Sequence, residues 1–329
     1  MEYLVTGGTG FIGSRLVLHL LKEGRSVRIL AQENNETEAK NRRLLERKGA
    51  EVVISSITDR EKVLEAAEGV DLVFHFAAAQ HEVNIPDEDF YSVNVNGTGN
   101  VLEACEIHGV QRFVHGSTIG VYGSALDGLI DEQTPTSPDN IYGVTKLAAE
   151  EMIRGSNSQL PVIIIRISET YGPGDRRLLK LFRAIKKNSF FIIGDGANLH
   201  HPIYIDDLIQ GFMLAATHDR SPGEIFVLSG KDVVTTNQMA DTIALELSAR
   251  VLPLRVPLGL ALPLAAAVED LSKPLGMQPP LHRRRLDFFR KSFAFANEKA
   301  SLILNFEPEV GFEDGVARTA AWYSEEGLL

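Results

Sequence analysis

The stretch VTGGTGFIGSRL, residues 5–16, joins an apolar run to an amphipathic one through closely spaced glycines. Gly8, Gly10 and Gly13 fit the pattern G-x-G-x-x-G, and Gly7, Gly10 and Gly13 fit the wider G-x-x-G-x-x-G. Glycines so spaced let a strand turn tightly into a helix. They also bring the backbone close to a pyrophosphate that then meets the first helical amides. The pattern opens the chain and precedes a second strand-like run, which is the context a dinucleotide-binding turn requires.

The runs that follow obey the same grammar. YLVTGG (3–8), SVRILA (26–31), EVVISS (51–56), DLVFHFAAA (71–79), RFVHGST (112–118) and PVIIIRIS (161–168) read as strands. Amphipathic runs separate them; in FIGSRLVLHLLKEG, Ile12, Leu16 and Leu20 share one face and Gly24 supplies a stop. This alternation predicts an α/β fold, a doubly wound parallel sheet of the Rossmann type covered by helices on both faces. Beyond residue 170 the pattern turns irregular, although EIFVLSG (224–230) reads as one more strand returning to the sheet. The expected division is a dinucleotide-binding domain over 1–170, rejoined by 203–235, with a smaller substrate-binding lobe from 171–202 and 236–329.

Composition excludes several functions. A formal charge of −11 over 329 residues argues against a nucleic-acid footprint, whose phosphates need a basic face. One basic cluster, HRRRLDFFRK (282–291), reads as a solvated or anion-facing patch. The single cysteine, Cys105, excludes an internal disulfide and sits at helical spacing among apolar neighbours, which reads as packing. The longest apolar stretch, VPLGLALPLAAAV (256–268), is too short to span a bilayer and holds two prolines, so it reads as core-facing or pocket-lining, with contact to a lipid or apolar substrate as the alternative. With no leader-like N-terminus, a cytoplasmic location is expected. His75, His81, His115, His200 and His201 form no metal-ligating pattern, so no metal is expected.

Tyr142 and Lys146 stand four residues apart, so on a helix both project from one face. Moving a tyrosine from a pKa of ~10 to about 7 takes roughly 4 kcal/mol, which one cation about 4 Å away supplies at an effective dielectric of ~20. The pair is common and weak alone. Ser117 and Thr118 lie just after a strand and offer a hydroxyl to the same substrate oxygen, and Asn94 offers an anchor for a water in a proton relay.

Together with TGGTGFIGS, VFHFAAA, NVNGTGN, TYGPGD, HPIYIDDL and the closing KASLILNFEPEVGFEDGVARTAAWY, these segments resemble the extended short-chain dehydrogenase/reductase superfamily, in its NAD-dependent epimerase/dehydratase branch. The resemblance implies Tyr142 as general acid/base, Lys146 lowering its pKa and holding the nicotinamide ribose, and Thr118 binding the reacting oxygen. It implies Gly7, Gly10, Phe11, Ile12 and Gly13 around the pyrophosphate and Ala77 and Ala78 beside the adenosine ribose. Where many relatives place an adenine-binding Asp, Ser56 and Ile57 stand here. The second strand ends in Ala31 and Gln32, with Glu33 slightly late and Arg15, Arg42 and Arg43 within possible reach of a phosphate; this leans to NAD and leaves NADP open. The resemblance further suggests a homodimer through the 90–110 and 142–156 regions.

Three departures bear on the reaction. Ile119 and Gly120 follow Thr118 where dehydratases place an acid, so dehydration is not expected. Glu169 stands where sugar-nucleotide enzymes commonly have Asn, and His200 where they have a diphosphate-binding Arg, with Arg283, Arg284 and Arg285 as substitutes for the missing charge. His81, on a loop expected near the nicotinamide, is a further candidate for substrate contact. The leading expectation is an NAD(P)-dependent sugar-nucleotide epimerase or related oxidoreductase. A relative of 3β-hydroxysteroid dehydrogenase or dihydroflavonol reductase, acting on an apolar alcohol or ketone, comes second. A catalytically silent dinucleotide-binding scaffold is the third, against which the intact tyrosine, lysine and threonine weigh.

Overall fold

The computed structural model describes residues 1–80, 86–124, 128–156, 159–272 and 283–329, without the side chains of 269–271 and 283–285. His81 therefore lies outside the described residues.

Six strands, β1 (Glu2–Thr6), β2 (Ser26–Ala31), β3 (Glu51–Ile54), β4 (Leu72–His75), β5 (Arg112–Thr118) and β6 (Val162–Ile167), join with Ile225–Leu228 in one sheet. Its order is β3-β2-β1-β4-β5-β6 and then Ile225–Leu228, and all its pairings are parallel. The helices between the strands are α1 (Phe11–Lys22), α2 (Glu36–Arg47), α3 (Arg60–Ala67), α4 (Asp87–Tyr91), α5 (Thr98–Ile107) and α6 (Ile141–Gly155). Period-two alternation sends Tyr3 and Val5 to one face, with α1, and Leu4 to the other, with α3 and α5. Cys105 is buried on that second face, so its slot in the sequence is a packing position.

The fourth strand is shorter than its sequence suggests. Phe76 N still bonds Thr6 O (3.1 Å), but past it the backbone leaves the ladder: Ala77 N donates to the Thr6 hydroxyl (3.3 Å), and both polar groups of Ala79 bond the Asn94 amide. In α1 the buried stripe is Gly13, Leu16, Val17 and Leu20, and Ile12 is only partly covered. Gly13 takes the inner position because the helix start presses on the preceding turn.

The segments after β6 are laced by two-residue ladders: Thr170–Tyr171 with Ile203–Tyr204, Leu199–His200 with Val234–Thr235, and Ile192–Ile193 with Arg255–Val256. One apolar cluster runs from Val5 and Phe74 in the sheet to Phe182, Ile243 and Tyr323 in later helices. The later helices thus share their core with the sheet. The apolar stretch forms the helix Leu258–Ser272, with Ala261 and Ala265 buried and Leu260 and Leu264 exposed. Among the described residues no helix is long and apolar enough to cross a membrane.

Candidate active site

Strand order reverses between β1 and β4, and the crevice at their C-terminal ends is where open α/β sheets bind ligands. Gly7 turns there with φ +68°, and a Cβ on it would lie 2.7 Å from Ala77 N. A Cβ on Gly13 would collide with the Gly7 carbonyl and lie 2.8 Å from Gly8 Cα. Gly10 precedes α1 in extended backbone with no side chain to cap the first-turn N–H groups, which leaves them for an anion. Phe11 swings its ring beside Gly174, where an added Cβ would meet it at 3.1 Å. This cradle fits a dinucleotide: each glycine sits where a side chain would block either the turn or the approach to it.

The Ser56 hydroxyl pairs with Thr58 (2.8 Å) and closes its own turn. Ile57, which follows Ser56 in that turn, points its side chain inward. It is buried under α5, pressed on Gly97, and its carbonyl accepts from Asn100 (2.9 Å). Its side chain belongs to the core. Ala77 and Ala78 lie half-buried in the loop after β4, beside Gly7.

Asn94 holds that loop. It is buried in a π-helical turn, Ser92–Gly97; its oxygen accepts from Ala79 N (2.7 Å), and its two N–H bonds reach Ala79 O (3.1 Å) and the Thr145 hydroxyl (2.9 Å). Such a turn inserts an extra residue to aim a side chain. Both donors are spent on protein atoms, so the residue that the sequence offers as a water anchor is a clamp between the β4 loop and α6.

The head of α6 is set by Asn140, whose side chain caps it by accepting from Gly143 N (3.0 Å). Gly143 backs onto the turn after β5, where a Cβ would lie 2.5 Å from Gly120 O. This contact brings the head of α6, which carries Tyr142, against the turn after Thr118. Thr118 accepts from Gly120 N (3.1 Å), which leaves its own proton to give. Ser117 is lost as a candidate: it is buried and donates to Glu150 (2.5 Å), because alternate residues of β5 face opposite sides.

Lys146 is 2% exposed, with Nζ 3.0 Å from His115 Nε2. Burial pulls its pKa down to about 7, while Glu150, one turn on, opposes the fall. Behind it His115 lies well below the usual histidine range, through burial first and then the Lys146 charge. His75, lowered to about 3 by the same causes, is satisfied by Thr6 (2.6 Å) and Thr98 (2.9 Å). Glu150 is bound by Arg166 (2.7 Å), which also donates to the Tyr122 hydroxyl (2.9 Å).

A cavity of about 190 Å³ opens past the end of β6, lined by Glu169, His200, Asp287, Phe288, Lys291 and Phe293. His200 Nδ1 lies 3.0 Å from Glu169. Its Nε2 meets the Thr236 hydroxyl (2.9 Å) and lies 3.3 Å from the Asn198 amide nitrogen. Burial alone would lower the His200 pKa, but the Glu169 charge and hydrogen bond outweigh it and raise it; the same attraction outweighs burial at Glu169 and lowers that pKa. The Glu169 side chain stays 39% exposed against 2% for His200, so the carboxylate faces the cavity. Lys291 is held by Asp139 at the head of α6 (2.9 Å). Arg285 lies in the helix Arg283–Arg290, with its side chain outside those described. His201 turns the other way, to Gly230 O (2.9 Å). A larger groove, about 710 Å³, lies between α1 and Ile205–Thr217 beside Tyr3 and Arg25, at the opposite strand ends from this chemistry. Among the described residues no cluster of three or more His, Cys, Asp or Glu is placed to hold a metal.

Glu150 and Arg166 were not singled out by sequence reasoning, and His115 was weighed only as a metal ligand. The available signal was the match of polar β5 positions 115 and 117 to charged α6 positions 146 and 150.

Comparison with known proteins agrees with this geometry. A 3beta-hydroxysteroid-dehydrogenase/decarboxylase from Arabidopsis thaliana is 30% identical over 98% of this chain and 62% of its own length. A dTDP-glucose 4,6-dehydratase from Streptomyces niveus is 28% identical over 99% of this chain and 93% of its own. Among solved structures, a UDP-glucuronic acid 4-epimerase from Bacillus cereus, crystallised with NAD, superposes with a TM-score of 0.80 at 26% identity over 99% of both chains. With residues 3–229 matching it directly, the chain belongs to the NAD dependent epimerase/dehydratase family and is an enzyme of that NAD-dependent group.

Proposed function

We propose that the protein interconverts a secondary alcohol and its ketone, with Tyr142 as general acid/base. The observation that carries this reading is the assembly at the head of α6: Tyr142 one turn before the buried Lys146, against the turn that holds Thr118. Thr118 donates to the reacting oxygen and Tyr142 takes or returns its proton. The Lys146 ammonium stabilises the phenolate and, with two N–H bonds beyond the one to His115, has donors for the nicotinamide ribose. NAD, when bound, takes up or returns the hydride at the carbinol carbon. Arg42 is tied to Glu33 (2.6 Å) and Glu46, and Arg15 to Asp206 (2.7 Å), which favours NAD over its 2′-phosphorylated form.

For the substrate, the cavity favours an apolar alcohol or ketone. The described cations facing it are already paired, His200 with Glu169 and Lys291 with Asp139, and Phe288 and Phe293 form its walls. A diphosphate entering there would face the Glu169 and Asp287 carboxylates. The second reading, a nucleotide-sugar epimerase, rests on the superposition with the UDP-glucuronic acid 4-epimerase. In either reading the lobe of 171–202 and 236–329 holds the substrate.

Single-turnover mixing with NAD separates them. Net reduction of nicotinamide with hydroxysteroid-like alcohols and none with UDP-sugars supports the first, and sugar interconversion without net reduction supports the second. Tyr142→Phe should lower kcat by roughly 10²–10⁴-fold with whichever substrate turns over, and full activity in that variant would sink the mechanism.

A further inference from the structure

We propose that His115 is a positioning residue: its Nε2 lone pair fixes Lys146 Nζ beneath Tyr142 and keeps that amine in its ammonium form. When Lys146 is an ammonium it has only donors, so at 3.0 Å His115 Nε2 then accepts and the imidazole proton sits on Nδ1. Among the described residues His115 Nδ1 has no hydrogen-bond partner, although it is buried. A buried donor left unpaired costs about 1–3 kcal/mol, and here it accompanies the one tautomer that faces the lysine with a lone pair.

The surrounding charges leave this task to His115. On α6 Tyr142 and Glu150 stand one turn to either side of Lys146, which meets His115 on β5 and, behind these, His75 on β4 and Arg166 on β6. Glu150 is committed to Arg166 and Ser117. His75 is committed to Thr6 and Thr98. A carboxylate at position 115 would hold the lysine as firmly but would cancel its field at the phenol. A neutral imidazole supplies a hydrogen bond to the charge while leaving one net positive charge to act on Tyr142. Its register partner His75 packs against it in a tilted arrangement, with ring centroids 5.3 Å apart.

This inference rests on Tyr142 as the acid/base, and its test keeps the two separable. Replacing His115 by Phe removes the acceptor at similar volume, and His115→Gln restores one. The phenylalanine variant should lose roughly tenfold in kcat/KM near pH 7, with the acid limb of its pH profile moved about one unit upward, and glutamine should recover most of both. In protein without NAD, the ¹⁵N signal of Lys146 Nζ should titrate at lower pH in His115→Phe than in the parent, a readout independent of turnover. If the limb and the lysine titration stay in place, or move equally in both variants, the proposal is overturned even when Tyr142→Phe is inactive. If Tyr142→Phe is active while the lysine titration moves, the reading of Tyr142 fails and the hold on Lys146 survives. Should His115→Phe not fold, His115→Met is read in the same way.

Discussion

At the scale of single residues, the site is built from positions where one atom more is too many. Gly13 is the clearest. Its missing Cβ is what lets α1 start against the Gly7 carbonyl and the Gly8 Cα, both backbone atoms that cannot rotate aside. Gly13→Ala should therefore destabilise the fold by about 1–3 kcal/mol, as overpacking does. It should also weaken NAD by more than tenfold, since the amides that would meet the pyrophosphate move with the helix start. Urea unfolding and calorimetric titration read the two effects, and unchanged NAD affinity would mean the loop is only a turn. Residues 169 and 200 show the opposite case. The sequence marks both as departures, yet it cannot show that they neutralise each other, since that follows from a 3.0 Å contact between segments 31 residues apart.

At the scale of elements, α6 and β5 meet in two polar rungs, Lys146 with His115 and Glu150 with Ser117, the second braced by Arg166 from β6. The lower rung fixes the rotation of α6, and so the direction in which Tyr142 and Lys146 point. Breaking it from one side leaves a buried guanidinium without its partner. Glu150→Ala should cost about 3–5 kcal/mol in urea unfolding. Glu150→Leu with Arg166→Met should recover much of that loss, because apolar replacement of the whole pair removes the orphaned charge. A single substitution costing under about 1 kcal/mol would show that α6 is held by its apolar contacts alone. The helix itself was legible: Asn140 before an amphipathic run announces it. The rungs were not, because pairing polar residues across a sheet and a helix needs the register of both.

Across the whole molecule, buried ionisable groups couple the fold to pH. His75 titrates at about 3 in the folded protein and near 6.5 when unfolded. A depressed folded value means the unfolded chain binds the proton more tightly. Stability from His75 is complete above pH ~6.5 and is lost as pH falls toward 3, at about 1.4 kcal/mol per unit. Lys146, at about 7 folded against ~10.4 unfolded, works at the other end: stability should rise as pH climbs from 7 toward 10. Denaturant unfolding from pH 4 to 9 checks both slopes, and a flat profile between 6.5 and 5 would contradict a neutral, buried His75. The later helices and the sheet share one core, so a single transition is expected despite the two-part division that the sequence suggests.

By itself the sequence determined the parallel sheet and the glycine turn, and it supplied the tyrosine, lysine and threonine of the proposed site. These are local matters: hydrophobic period, chain reversal and helical spacing are set by neighbours a few residues apart. Only the tertiary structure decided that Ser117 and Ile57 face inward, that Asn94 clamps a loop, and that Lys146 rests on His115. Each of those depends on which buried polar group lies across a contact between distant segments, and burial makes that choice costly to leave unmet.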